Sequence, residues 1–133
     1  MFSRLFVLAL LAATPATADR FDALRADPEI QNGVLIAAIG DMIGDNCDDL
    51  GERRTRSLLM LNDLVARART LGYSLDDIRA YVEDDAEKNR VKARARQWFA
   101  QEGASANDTG GICRVARREI ADGTTIGRLM YVR

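Results

Sequence analysis

Apolar residues recur along this chain at spacings of three and four, and almost nowhere in strict alternation, so helices are expected and sheet is not. Asp27 offers an N-cap, with Pro28 at the first helical position, where its fixed φ suits a helix start. A helix is predicted from Pro28 to about Asn46. Between Gly33 and Gly44 its one charge is Asp41, and Val34, Ile36, Ile39, Met42 and Ile43 cover most of the circumference. A helix that is apolar on most faces belongs in the middle of a bundle, and this one is expected to be the most buried in the domain.

A second helix is predicted from about Glu52 to Leu71, with Leu58, Leu61, Leu64, Val65, Ala68 and Leu71 on its inner face and Gly72 just past its end. Ser74, followed by Asp76 and Asp77, opens a short helix to about Glu83 that presents Leu75, Ile78 and Val82. Glu83, Asp84 and Asp85 open the next, to about Glu102, with Val91, Ala95, Trp98 and Phe99 as its apolar face and Gly103 as its stop. Residues 103–111 are small, polar and glycine-rich and read as a mobile loop. A fifth helix follows, from about Ile112 to Ala121, turning Ile112, Cys113, Ala116 and Ile120 inward. Gly123 closes it, and Thr124 or Thr125 caps a last short turn with Ile126, Leu129 and Met130. Residues 19–27 form an arm or a short lead-in turn. The pattern predicts an all-α domain, a compact bundle of about five to six helices.

The N-terminus follows a different logic. Arg4 precedes an apolar run from Leu5 to Ala13, and Ala16-Thr17-Ala18 has the small-residue pattern of a cleavage site. That is the layout of a secretory signal peptide, and the run is too short to span a bilayer as a helix. The domain organisation expected is a signal peptide over 1–18 and a single helical domain over 19–133. Asp19 follows the cleavage site, so a lipid-modified cysteine is not indicated there. No membrane insertion is expected after cleavage, and the expected compartment is the periplasm.

Export changes how the two cysteines read. Cys47 and Cys113 are the only cysteines. In an exported chain such a pair most simply forms one disulfide, here stapling the end of the first long helix to the fifth. Loop-closure entropy makes such a staple worth roughly 4 kcal/mol. A redox-active couple is the functional alternative, although the pair lacks C-x-x-C spacing. Free thiols or an intermolecular bridge complete the set.

Histidine is absent. The usual general base and the commonest transition-metal ligand are therefore missing, and no Ser-His or Cys-His catalytic site can be assembled. Chemistry restricted to carboxylates, Lys or Tyr is left, with no cofactor expected. Asp41, Asp45, Asn46, Asp48 and Asp49 invite comparison with a hard-cation site, but they lack the spaced ligands and central glycine of an EF-hand. On so apolar a helix Asp41 is expected to be buried and charge-paired with an arginine of the fifth helix: Arg114, Arg117 or Arg118. The paired small residues Gly40 and Gly44 would allow a close helix approach.

Net charge is −1 at pH 7, and one unit lower once Arg4 leaves, so no global field recruits nucleic acid or anionic lipid. The local exception is Lys88, Lys92 and Arg96, a basic stripe at four-residue spacing. It reads either as a solvated helix face, partly neutralised by an Asp84–Lys88 pair, or as a docking surface for an acidic partner. Trp98 and Phe99 read as core anchors.

The chain also resembles an uncharacterised family of small secreted alphaproteobacterial proteins, a domain of unknown function. The resemblance rests on Pro28-Glu29-Ile30 with Asn32-Gly33, Asn46-Cys47, Leu71-Gly72-Tyr73-Ser74, Tyr81-Val82 and Glu87-Lys88, then on Cys113 with Arg118-Glu119-Ile120 and Ile126-Gly127. It implies periplasmic export and supplies no activity or catalytic residue. In general build the chain is also similar to small single-disulfide periplasmic helical proteins, among them acid-stress chaperones and immunity proteins. The function expected is a non-enzymatic binding protein: an accessory subunit, adaptor or inhibitor of another periplasmic macromolecule. A periplasmic stress chaperone is the first alternative and a carboxylate-only hydrolase the second.

Overall fold

The computed structural model describes residues 19–133, and the expected signal peptide lies outside them. Seven helices and two short strands follow in order: α1 (Asp22–Ala26), α2 (Pro28–Asn46), β1 (Leu50–Glu52), α3 (Arg54–Thr70), α4 (Leu75–Glu83), α5 (Asp85–Gln101), α6 (Thr109–Asp122), α7 (Thr125–Arg128) and β2 (Met130–Val132). The architecture is a helical bundle organised around α2, which packs against α1, α3, α5, α6, α7 and β1.

Local chemistry sets most of the boundaries. Asp27 caps α2 by accepting from the Ile30 N–H at 3.0 Å, with Pro28 at the start of the helix. Ser74 and Asp77 form a reciprocal capping box at the head of α4. Asp84 caps α5 through the Glu87 N–H at 2.9 Å. Its carboxylate is committed there, and the expected Asp84–Lys88 ion pair is not formed. Gly123 ends α6 at φ 63°, a left-handed position that glycine takes without a Cβ penalty. Helix α6 starts earlier than expected, because Asp108 accepts from the Gly111 N–H at 2.8 Å and turns the end of the glycine-rich loop into the first helical turn.

Two apolar clusters hold these elements. The larger gathers Ile36, Ile39 and Ile43 of α2 with Phe99, Ile112, Ala116 and Met130. Phe99 has no exposed surface and meets Trp98 edge-on, with ring centroids 5.0 Å apart. The smaller joins Phe21, Leu24, Ile30, Ala68 and Tyr81 at the opposite end of α2. Cys47 and Cys113 form the staple, with Cα atoms 5.7 Å apart across a sequence separation of 66.

Three expectations are corrected. β1 and β2 pair antiparallel with Gly51 opposite Tyr131, a ladder too short to leave any alternation in the sequence. The helix most densely buried is α6, where Gly111, Ile112, Cys113, Val115, Ala116 and Glu119 all lie inside; α2 is central but not the most covered. On α2 the close helix approach occurs at Gly33, where an added Cβ would overlap the Leu64 side chain of α3, whereas at Gly40 and Gly44 it would meet nothing.

Candidate functional site

Helix α3 is the least buried long element. Only Ser57 and Ala68 are fully inside, while Leu58 is 58 % exposed and Leu61 44 %. The inner face expected from Leu58 to Leu71 is therefore engaged only in its second half, where Leu64 and Leu71 pack on the smaller cluster. The first half stands beside a furrow over α2. Its floor is Val34, Ala37 and Ala38, and its walls are Leu61 and Leu64 on one side, Val82 and Val91 on the other. Lys88 and Lys92 rise from α5 along the second wall.

The basic stripe thus acquires a context that spacing alone did not give. Lys88, Lys92 and Arg96 are all exposed, and none makes an ion pair among the described residues. Lys88 and Lys92 line the furrow, whereas Arg96 is outside it.

Towards the strand pair the furrow widens into a cleft of about 740 Å³. Ile36, Met60, Leu129 and Met130 supply its apolar surface, and Asp41, Asp45, Asp48 and Glu52 stand around it. Asp41, Ala37, Leu61 and Lys92 border both furrow and cleft.

Asp41 is not the buried, paired acid that its helix suggested. It is exposed and makes no ion pair among the described residues. Arg114, Arg117 and Arg118 turn instead to Asp108, Asp49 and Glu102. The physical reason is placement: the face of α2 that carries Asp41 borders the cleft and not α6. Partial desolvation pushes its carboxyl above the usual range, and Asp45 and Glu52 add to the shift.

The acids that are buried and paired are Glu87 and Asp27. Glu87 is held by Arg25, whose Nε donates at 2.7 Å, and by Arg90, whose Nη1 donates to both oxygens at 2.7 and 2.9 Å. This ties α1 to α5. The sequence signal was present: Glu87 precedes Val91 by four and Ala95 by eight, which places it on the inward face of α5.

No group of three or more His, Cys, Asp or Glu converges on a common point that could hold a metal among the described residues. No helix among them is long and apolar enough to cross a membrane. An apolar furrow with exposed, unpaired cations on its rim thus lies beside a cleft bordered by carboxylates without ion pairs among the described residues.

No curated protein and no solved structure matches the chain. A family model does match, over residues 22–131, nearly all of the described chain, and the chain therefore belongs to DUF5333, a family of unknown function.

Proposed function

We propose that the chain is an exported, non-enzymatic binding protein of the periplasm, an adaptor, inhibitor or accessory subunit of another macromolecule. It seats an acidic, apolar-faced segment of a partner protein in the furrow over α2. The observation that carries this reading is Lys88 and Lys92 standing exposed and unpaired beside the apolar lining of Leu61, Leu64, Val82 and Val91. An apolar groove with a cationic rim suits an amphipathic segment whose acidic residues meet the lysines. The leader-like N-terminus and the Cys47–Cys113 bridge support an oxidising compartment. The lack of histidine, with both thiols oxidised, supports a role outside catalysis.

The test is a pull-down from periplasmic extract with the wild-type chain and with the triple variant Lys88→Glu, Lys92→Glu, Arg96→Glu. The wild type recovers a discrete protein whose binding weakens as salt rises, because exposed charges are screened over about 8 Å at physiological ionic strength. The variant keeps its helix content and loses that protein. Equal recovery by both, with unchanged salt dependence, overturns the reading.

A periplasmic chaperone is the second reading, favoured by the exposure of Leu58, Leu59, Leu75 and Val82. It separates from the first by suppressing aggregation of unrelated clients with no dependence on the three cations.

A further inference from the structure

We propose that the surface formed by the start of α3 and strand β2 docks reversibly on an anionic phospholipid membrane, its arginines taking headgroup phosphates and the exposed apolar side chains beside them entering the interface. This surface is separate from the furrow, whose lining includes none of its residues.

Arg53, Arg54 and Arg56 surround one shallow pocket with Glu52, Thr55 and Tyr131. All three arginines are exposed, and none makes an ion pair among the described residues. By contrast, Arg25, Arg67, Arg90, Arg117 and Arg118 each meet a carboxylate. Main-chain carbonyls hold two of the three instead. Arg53 Nε donates to the Met130 carbonyl at 3.1 Å, and Arg56 Nη1 to the Arg128 carbonyl at 2.9 Å. A carbonyl fixes a guanidinium without neutralising it, and most of the five N–H donors of each arginine are left for a ligand. Arg53 also stands over the Tyr131 ring, 5.6 Å from its centroid. The first turn of α3 carries no acid, and Glu52 is the one carboxylate in the pocket's lining. The attraction is therefore local, on a chain whose net charge of −1 supplies none from afar.

Apolar side chains stand next to these cations. On α3, Arg54 and Leu58 are four residues apart and Arg56 and Leu59 three, so each pair shares a face. Leu58 and Leu59 are the most exposed large apolar residues among those described, and they line neither the furrow nor the cleft. The furrow is recessed and suits a segment of chain. Leucines that project beside arginines suit a layer, because a membrane surface presents phosphates over an apolar interior. Interfacial helices carry this combination, and tyrosine rings sit at headgroup depth. Guanidinium forks match phosphate oxygens in pairs. The contact is peripheral, since no helix among the described residues is long and apolar enough to cross a membrane.

The test is co-sedimentation of the mature chain with vesicles of phosphatidylcholine alone and of phosphatidylcholine mixed equally with phosphatidylglycerol. The chain is expected on the anionic vesicles and not on the neutral ones, and it should leave them as salt rises. The variant Arg54→Glu, Arg56→Gln should fold, since an acid in the first turn suits a helix. It should bind about 25-fold more weakly, each cation near an anionic surface contributing about fivefold. Leu58→Gln, Leu59→Gln should also fold and bind more weakly, which attraction between charges alone would not produce. Lys88→Gln, Lys92→Gln, which weakens docking of an acidic partner in the furrow, should bind the vesicles as the wild type does. That contrast separates failure of this surface from failure of the furrow. The inference is overturned by equal binding to neutral vesicles, by unchanged affinity in the arginine or the leucine variant, or by loss of binding in the lysine variant. It is equally overturned if the arginines bind soluble glycerol phosphate or polyglutamate while the chain leaves anionic vesicles unbound.

Discussion

Arg67 of α3 donates twice to one oxygen of Asp27, from Nε at 3.0 Å and Nη2 at 2.6 Å, while the other oxygen of Asp27 caps α2. One carboxylate thus starts the central helix and fastens α3 to it. Hydrogen bonds from Arg67 and then from the Ile30 N–H hold its pKa below the ordinary 3.8. A carboxyl depressed in the folded state contributes stability that is fully present above its unfolded pKa and is lost as pH falls through the folded value. Asp27→Ala should therefore lower the thermal midpoint by several degrees at pH 7. The gap to the wild type should narrow below about pH 4, as the unfolded-state carboxyl takes up its proton. Thermal unfolding followed by circular dichroism at pH 7, 4 and 2.5 checks this. An equal gap at every pH would show that the charge of Asp27 does not matter.

The staple gives the second expectation. Unreduced, denatured protein should show no free thiol. Replacing both Cys47 and Cys113 by Ser should cost roughly 2–4 kcal/mol of unfolding free energy, read from urea curves, without changing helix content at low denaturant. A loss near zero would mean that the unfolded chain is already compact enough to gain nothing from the closed loop.

Gly33 and Leu64 provide a test of packing. An added Cβ on Gly33 overlaps the Leu64 side chain. Gly33→Ala should destabilise by about 1–3 kcal/mol through overpacking, less whatever helix propensity returns. In the background of Leu64→Ala the same change should cost little, because the overlapping atoms are gone. A double-mutant cycle in urea reads the coupling, and strict additivity would place the contact elsewhere.

The sequence disclosed the elements whose ends carry their own chemistry. Asp27-Pro28, Ser74 to Asp77 and Gly123 mark boundaries because a cap or a left-handed glycine acts within a few residues. The disulfide was legible from the leader-like N-terminal pattern and the cysteine count. The side that each helix presents was legible only where the core claims it. α3 carries leucines at helical spacing whether or not a neighbour covers them, so spacing could not distinguish the covered Leu64 from the exposed Leu58 and Leu61. Asp41 misled for a related reason: an apolar helix at the centre of a bundle still lines a cleft along part of one face. The pairing of Glu87 with Arg25 joins residues 62 apart, and no local pattern announces such a pair.

The export reading has its own check. Mass spectrometry of the chain recovered from the periplasm should give an N-terminus at Asp19, the residue after Ala-Thr-Ala. Recovery in the cytoplasm with Met1 retained would remove the compartment in which the bridge and the proposed partner make sense.

The central claim, that the furrow over α2 is where this protein meets its partner, is tested most directly by photo-crosslinking in living cells. A photoreactive residue is placed at Leu61, Val82 or Lys92, and a control at Arg114, which is exposed on α6 and outside the furrow. One discrete adduct is expected from the three furrow positions and none from the control, with the adduct lost when Lys88 and Arg96 are also changed to Glu. An adduct from Arg114 alone, or none from any furrow position, would contradict it.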